Sequence, residues 1–462
     1  MSKRLILIFA LFFVLGVAFT AYAEVQNVKV SGDLEFIGFS RELQIARTAI
    51  NTKTQTAAAT IARVRIDADL TDNVMTTVRL INERFWGSTG DNQNSTNENN
   101  TNVDIDLAYV TLKEFLYSPL SLTVGRQELH YGSDMIVGNP NTNNVADGAS
   151  PFNSTNGSIV PDFSKRKSFD AVRAVLDYNP LVIDLVAAQV RKNNLFTDTS
   201  RNLYGINASY AINNNNTVEG YWFEKRLGRK LATAPENKIE TTHNLGVRVV
   251  SKELIPNLTL QAEGAYQFGT RVNAAGTDHP TQRRSAMAGE VSATYDMKKV
   301  KYEPTATLLY NYFSGNREDG NKYHGWDPMY ENQTFGNLAN VLFNQTNQHQ
   351  LGGVLTAKPM TDVIVKGEYY AYWWDKRNGD SATRTLSATY LGQGANLNAP
   401  TMTQKKFLGQ EVDLTATYNY TEDVQFALMG GLFFPGNSFE KDQTNGSRHV
   451  AKEVIGSMKV TF

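Results

Sequence analysis

Arginine and carboxylate side chains recur at every second position in several segments of this chain. In segment 61–70, two arginines and two aspartates alternate with apolar residues, and segments 172–178 and 411–418 follow the same rhythm. An extended strand points successive side chains to opposite faces, so these charges share one face. In a membrane that face must be wet, because a cationic side chain against hydrocarbon costs on the order of 2–4 kcal/mol. Guanidinium groups stay charged and bind carboxylates bidentately, so such a lining could bind anionic solutes.

The candidate residues for this chemistry are those that the alternation turns toward the wet face. The candidate arginines are Arg63, Arg65, Arg79, Arg126, Arg173 and Arg248, and the candidate acids are Asp67, Glu83, Asp177 and Glu411. Two interpretations stay open. The arginines could ring a constriction for anions, or each could pair with an acid and stiffen the wall. We expect pairing in particular between Arg79 and Glu83 and between Arg173 and Asp177.

The elements that must position these side chains are strands. Eighteen alternating segments follow one another with no helical pattern between them. They predict an all-β protein, a transmembrane antiparallel up-and-down β-barrel of about 18 strands with both termini on the periplasmic side. The predicted strands are 27–42, 61–70, 74–86, 104–113, 121–131, 168–178, 181–192, 202–212, 217–227, 242–251, 258–269, 285–297, 302–314, 348–358, 362–374, 405–420, 424–434 and 448–462.

The connections between these segments are alternately short and long. Short stretches such as 71–73, 179–180 and 213–216 are rich in Asn, Asp, Pro and Thr, which are typical turn residues. Long polar stretches, of which 132–167 and 315–347 are the longest, separate them. This alternation predicts short periplasmic turns and long extracellular loops. The two longest loops could fold inward as constrictions.

The two ends of the chain indicate export to an outer membrane. Lys3 and Arg4 precede an apolar run, and Ala21-Tyr22-Ala23 follows it, so residues 1–23 are predicted to be a cleaved signal peptide. A membrane anchor is the alternative. Residues 24–462 then form the barrel, an integral multi-pass protein of the outer membrane of a Gram-negative bacterium. The terminal Phe462 is typical of the signal that barrel-insertion machinery recognises.

Composition and motif spacing bear on the remaining classes of function. The chain has no cysteine, and its 45 basic and 46 acidic residues give no basic patch for nucleic acid. None of the six histidines has zinc-site spacing, and His130 with Ser133 is a weak catalytic pair. We therefore expect no enzyme, no cofactor and no metal site. The acid- and amide-rich segment 91–106 could bind Ca²⁺ at the cell surface, although a hydrated loop is the simpler interpretation.

One short basic run, Lys165-Arg166-Lys167, lies just before a predicted strand. At the outer rim it could pair with lipopolysaccharide or form an entrance funnel for anions. Outer-membrane lipid and lipopolysaccharide are in any case expected partners of a barrel.

Several segments together resemble the alginate-export family of outer-membrane barrels. Gly125-Arg126-Gln127 is similar to a strand motif of that family, and Phe169-Asp170 with Arg173 is similar to the start of a following strand. Segments 408–414 and 431–436 resemble its C-terminal strand pair, and segment 325–330 resembles part of a large loop. The resemblance implies an 18-stranded barrel, a monomer rather than a trimer, and passage of an anionic polysaccharide or other anionic solute.

Two other functions stay open at this point. The chain could be a general or substrate-specific porin for small polar solutes, with the same number of strands. It could also be a structural or adhesion barrel whose pore is plugged.

Overall fold

The computed structural model describes most of the chain as strands. The described residues are 27–43, 45, 54–87, 103–140, 163–191, 200–230, 237–272, 281–317, 321–377, 403–440 and 448–462. The predicted signal peptide and most of segment 91–106 lie outside them. Within them, no helix has the length and apolar character needed to cross a bilayer.

Within the described residues the strands follow one another along the chain with a single short helix, α1, Asn337–Leu342. The first ten are β1 Asn27–Glu42, β2 Gln55–Thr71, β3 Val74–Phe85, β4 Asp104–Leu112, β5 Leu120–Glu128, β6 Ser168–Asp177, β7 Leu181–Arg191, β8 Arg201–Asn213, β9 Asn216–Lys230 and β10 Asn237–Lys252. The others are β11 Leu258–Val272, β12 Thr281–Asp296, β13 Thr305–Phe313, β14 Lys322–Tyr323, β15 Gln348–Met360, β16 Val363–Trp374, β17 Phe407–Asn419, β18 Val424–Pro435 and β19 Ala451–Thr461.

The sheet closes on itself between the first and last strands. β1 pairs antiparallel with β2 on one side and with β19 on the other, with Asp33 opposite Thr461. The two-residue β14 lies in a loop and pairs in parallel with β12, so the wall is a closed antiparallel barrel of 18 strands. Closure satisfies the backbone groups of every strand inside the sheet, as a bilayer requires. The predicted fold is confirmed.

Several predicted strand boundaries differ from the observed ones by a few residues, and one of them fails for a conformational reason. β13 begins at Thr305 instead of residue 302. Tyr302 and Glu303 have φ values of 70° and 43°, in the left-handed region, which cannot continue a strand. These two residues belong to the turn 297–304, so the sequence pattern placed the strand start too early.

The two faces of the wall differ in polarity as the alternation predicts. On β10, the outward side chains of Leu245, Val247 and Val249 are 57%, 51% and 42% exposed on the isolated barrel. The inward side chains of Thr242 and Asn244, just before them on the same strand, are fully buried. Hydrocarbon therefore meets an apolar face while the polar face points into the barrel.

The connections divide the barrel into two ends. Two-residue turns at 72–73, 214–215 and 361–362 lie at one end with the other short connections. The long connections lie at the opposite end, which is extracellular because the short turns of such barrels are periplasmic. The described parts of two long loops fold back into the barrel, and we name them the first inner segment (129–140) and the second inner segment (321–347).

Each inner segment packs its apolar side chains against a different part of the wall. Met135, Ile136 and Val137 of the first segment join Trp326 and Tyr330 of the second in a core against inward residues of β6–β13. The helix α1 of the second segment has its own core, formed with inward aromatic residues of β16–β18. The lumen is therefore partly filled by chain from the extracellular loops.

Candidate substrate pathway in the barrel lumen

Five of the six predicted arginines do point into the lumen, and each forms an ion pair. On β2, Arg63 Nη2 lies 2.9 Å from Asp33 Oδ1 and Arg65 Nε lies 2.7 Å from Asp67 Oδ2. Arg248 on β10 contacts Glu219 at 3.2 Å and Glu263 at 3.7 Å. Pairing fixes the guanidinium groups in place without removing their ability to donate further hydrogen bonds.

Arg79 and Arg173 also form ion pairs, but not with the partners expected from the sequence. Arg79 binds Asp106 on β4 at 2.6 Å and also Glu128. Arg173 donates from Nε to Asp184 on β7 at 2.7 Å. The expected partners Glu83 and Asp177 were wrong, because residues four apart on a strand are roughly 13 Å apart. The acids within reach are on the neighbouring strands.

Arg126 lies on the outer face of the barrel, so its prediction as a lumen residue was wrong. It stands opposite Ala108 and Asp170, and its Nη1 is 3.3 Å from Asp170 Oδ1. The ladder between β3 and β4 slips between Arg79 and Leu80, and Asp106 is the extra residue on β4. This bulge turns Asp106 inward but leaves Arg126 in step with the outward-facing Val124.

Two of the segments that suggested the family resemblance face each other across β5 and β6. Gln127 stands opposite Phe169, and its side-chain amide donates to the carbonyl oxygen of Ala171 at 3.1 Å. Gly125 has φ of +126°, and a side chain there would collide with the backbone of Ala108. The motif residues therefore hold a distorted strand pair at the extracellular rim.

Two of the predicted pore-lining acids are covered by loop backbone. Glu83 accepts hydrogen bonds from the Lys165 backbone amide at 2.7 Å and from Arg166 Nε at 2.9 Å. Glu411 accepts from the backbone amides of Leu338 and Ala339 at 2.7 and 2.8 Å, at the start of α1. Both carboxylates are almost fully buried. Their assignment to a solvent-lined pore surface is corrected: they attach loop segments to the wall.

A third wall acid holds the first inner segment. Glu263 accepts hydrogen bonds from the Ser133 backbone amide at 2.9 Å and from the Tyr221 hydroxyl at 2.6 Å. Gly132 has φ of +63°, and a Cβ placed on it would lie 2.7 Å from Glu263 Oε1. Gln333 links the two inner segments, since its amide donates to the Ser133 carbonyl at 3.0 Å.

The basic run Lys165–Lys167 faces the interior instead of an outer rim. Lys165 Nζ is 3.2 Å from Glu35, Arg166 Nη1 is 2.6 Å from Asp104, and Lys167 Nζ donates to Asn332 at 2.6 Å. These three contacts engage all three cations with the wall or with the second inner segment. These contacts lie on the inner side of the wall, which does not favour contact with lipopolysaccharide and leaves the entrance funnel as the other interpretation.

The junction between the inner segments contains ionisable groups with displaced pKa values. His130 Nδ1 lies 2.9 Å from Asp134 Oδ2, and this hydrogen bond raises the pKa of the imidazole. Burial raises the pKa of Glu331 to about 7. Burial also lowers the pKa of Lys167. Asn332 joins the two segments at this point, because its side-chain amide donates to Asp134 at 3.2 Å.

The second inner segment is also held by a buried ion pair. Asp327 accepts from Lys225 Nζ of β9 at 2.7 Å and from its own segment at the Met329 amide. Burial alone would raise the pKa of Asp327, but Lys225 and Arg284 outweigh it and bring the pKa below its ordinary value.

Some charged side chains of the wall keep contact with solvent in the lumen. Arg65 and Asp67 are 37% and 32% exposed, and Arg173 is 36% exposed. Asp177 sits at the periplasmic end of β6, where it accepts a hydrogen bond from the Asn179 amide in a turn. Among the described residues, no group of three or more possible ligands could hold a metal ion.

Sequence reasoning missed the acids that complete these contacts: Asp33, Asp106, Asp184, Glu219 and Asp327. Most lie on strands next to the arginines, so their pairing depends on inter-strand register, which a single sequence does not give. Asp327 could have been noticed in the sequence, because it lies between Trp326 and Pro328 in one of the segments that carry the family resemblance.

Comparison with known proteins agrees with this architecture. A family model described as alginate export matches residues 40–452 of the chain. A search of curated protein sequences finds no significant match.

Solved structures of Pseudomonas aeruginosa outer-membrane porins have the same fold. OccK5 (OpdH) aligns with a TM-score of 0.55 and 10% identity over 95% of this chain and 99% of its own. OpdQ aligns with a TM-score of 0.55 and 11% identity, covering 95% and 98%. OccK2 (OpdF), solved in complex with glucuronate, aligns with a TM-score of 0.53 and 9% identity, covering 95% and 99%.

Proposed function

Because this chain belongs to the alginate export family of outer-membrane barrels, we propose that it is a channel for anionic polysaccharide or other anionic solutes. The observation that carries the proposal is the set of five inward arginines on β2, β3, β6 and β10. Arg65 and Arg173 retain exposed surface in the lumen. A uronate carries a carboxylate on its sugar ring, and a guanidinium binds a carboxylate through two parallel hydrogen bonds.

The way the wall acids are used supports the anionic preference. Acids on a pore surface would repel a uronate, but Glu83, Glu263 and Glu411 are buried under loop backbone. Backbone amides donate to all three carboxylates, and Arg166 and Arg248 also contact Glu83 and Glu263, so part of their charge is compensated within the wall. Asp67 is an exposed acid beside Arg65, whereas the partner of Arg173, Asp184, is buried. Arg173 therefore acts on a passing anion with less opposition than Arg65 does.

A structural neighbour points to the same class of solute. OccK2 was solved with glucuronate bound. Glucuronate combines the carboxylate and sugar hydroxyls that an arginine-bearing polar lumen would recognise. We extend the solute class, not the residues of that site, to this chain.

The second candidate function is a porin selective for small polar solutes. The two inner segments and their apolar cores favour it, because they occupy part of the lumen. Anionic monosaccharides or short oligosaccharides would satisfy both candidates, whereas a long polymer would need the inner segments to move.

Uptake into liposomes tests the proposal. We expect purified protein to pass glucuronate about threefold or more faster than a neutral hexose of similar size, because local positive potential concentrates anions. The double variant Arg65→Gln/Arg173→Gln should lose that preference. Arg126→Gln is the matched control, since it removes an arginine from the outer face. Equal rates for both sugars in the wild-type protein would refute the anionic preference, and no uptake at all would indicate a plugged barrel.

We further propose that the barrel functions as a monomer and is inserted through recognition of its last strand. Met458, Val460 and Phe462 follow one another on the outward side of β19, and Phe462 exchanges both backbone hydrogen bonds with Gly32. Deletion of Phe462 should slow membrane assembly without changing the conductance of the molecules that do insert.

A further inference from the structure

The outward face of β8–β12 carries a row of polar residues at its extracellular end. The strand registers place one residue from each strand in this row, because Asn202 pairs with Arg226, Arg226 with Thr241, Thr241 with Thr270 and Thr270 with Arg283. Lys322 of β14 continues the row beside Arg283. We name these six residues the rim row.

The rim row has three cations and no carboxylate. Arg226, Arg283 and Lys322 are exposed. No side-chain hydrogen bond or ion pair found for the described part of the chain includes any of the three. The five inward arginines are different, because each of them forms an ion pair with an acid. Within the described residues these three cations on a lipid-facing rim have no internal counter-charge, so an external anion would reduce their mutual repulsion.

The residues directly below the rim row form an aromatic belt. His243 is stacked between Trp222 and Phe268, with ring centroids 5.8 and 4.9 Å away. The Tyr266 hydroxyl lies 2.9 Å from Ser285 Oγ. Glu224 is the acid in this belt, and its Oε2 lies 3.8 Å from His243 Nδ1.

An apolar band lies below the belt. Val247, Val249 and Val291 are exposed on the isolated barrel and face hydrocarbon in the membrane. Aromatic belts mark the boundary between hydrocarbon and headgroups. The rim row, two residues further along each strand toward the extracellular side, therefore lies at the depth of the outer-leaflet headgroups.

We propose that the rim row binds the phosphate groups of an outer-leaflet glycolipid, lipopolysaccharide in a Gram-negative outer membrane. Arginine binds phosphate bidentately, and lysine adds a point charge. Neighbouring strands are about 4.8 Å apart, so Arg283 and Lys322 can share one phosphate while Arg226, roughly 14 Å away, meets another. Asn202, Thr241 and Thr270 supply neutral donors between them. This inference is independent of what passes through the lumen.

Binding of rough lipopolysaccharide to the detergent-solubilised, folded barrel tests this assignment, with native mass spectrometry or quenching of intrinsic fluorescence as the readout. We expect saturable, salt-sensitive binding that falls roughly a hundredfold in Arg226→Ala/Arg283→Ala/Lys322→Ala, because each interfacial cation contributes separately. The matched control is Lys298→Ala/Lys299→Ala/Lys301→Ala, which removes the same charge from a periplasmic turn and should bind as the wild type does. The double variant Arg226→Lys/Arg283→Lys should retain most of the binding.

A second probe separates headgroup recognition from acyl-chain contact. Chemically dephosphorylated lipopolysaccharide should bind the wild-type barrel as weakly as intact lipid binds the triple variant. Unchanged affinity of the triple variant, or equal binding of the dephosphorylated lipid by the wild type, would overturn the proposal. Heat-modifiable electrophoretic mobility confirms that every variant compared is folded.

Discussion

Arg173 on β6 and Tyr131 of the first inner segment bind the two oxygens of the same carboxylate. Arg173 donates to Asp184 Oδ2 at 2.7 Å and Tyr131 donates to Oδ1 at 3.0 Å. The Arg173 guanidinium carbon also lies 5.9 Å from the centre of the Tyr131 ring. One carboxylate thus connects a candidate pathway arginine to the segment that narrows the lumen.

Removing the Tyr131 hydroxyl should loosen that connection. We expect Tyr131→Phe to destabilise the docked segment by about 1–2 kcal/mol, because Asp184 is buried and loses one of its two donors. Single-channel recordings should show more frequent transitions to a larger current. Tyr210→Phe, on the outer face of β8, is the control and should leave the recordings unchanged. Identical traces for both variants would show that this hydrogen bond does not hold the segment.

Glu411 should determine whether α1 stays against the wall. In Glu411→Ala, two backbone amides at the start of the helix lose their acceptor in a buried site, at a cost of about 2–4 kcal/mol. We expect a higher mean conductance and faster proteolysis of segment 335–347. Glu422→Ala, in an exposed periplasmic turn, should change neither. A Glu411→Ala barrel with wild-type conductance and protease resistance would show that α1 is held by its apolar contacts alone.

Gly132 should tolerate no side chain. Gly132→Ala combines a positive φ with a Cβ that would press on Glu263, so we expect about 1–3 kcal/mol of strain in the docked first inner segment. The matched control is Gly38→Ala, because a Cβ on Gly38 meets nothing within 4 Å. The two variants should differ both in their stability to urea in detergent and in their conductance. Equal behaviour of the two would contradict the close contact with Glu263.

Acidification should tighten the junction between the inner segments. His130 and Glu331 both have pKa values raised above their ordinary ones of 6.5 and 4.5 in the docked state. A raised pKa means that the docked state binds its proton more tightly than the open state does. For Glu331 the resulting stabilisation is complete below its ordinary pKa and is lost as pH rises through about 7. For His130 it is lost at pH values above its ordinary pKa.

Conductance measured between about pH 5 and pH 8 tests whether acid stabilises the junction. We expect the mean current to rise with pH as the junction loosens. The double variant His130→Gln/Glu331→Gln should show a much flatter dependence of the current on pH. It keeps the charged neighbours Asp134, Glu128 and Lys167. A wild-type current that falls as pH rises would show that the junction responds in the opposite direction.

The fold could be predicted because each barrel strand has a pattern that is visible in its own sequence. Alternation of polar and apolar residues fixes which side chains face lipid, and on β1 it gave both strand boundaries correctly. Arg126 was misassigned although the alternation along β5 places it two residues from the lipid-facing Val124 and so on the same outer face.

The candidate site was harder to predict, because its contacts join residues far apart in the sequence. Arg79 reaches Asp106 and Arg63 reaches Asp33 only once neighbouring strands are aligned in register. The role of Glu411 depends on a loop that returns to the wall more than 70 residues away along the chain. Composition identified the charged residues, whereas their pairing required the structure.

The reversal potential in a salt gradient across a planar bilayer addresses the lumen charge most directly. We predict an anion-selective wild-type channel, loss of that selectivity in Arg65→Gln/Arg173→Gln, and an unchanged reversal potential in Arg126→Gln. A cation-selective wild-type channel, or equal reversal potentials in all three proteins, would contradict an anion pathway along the inward arginines.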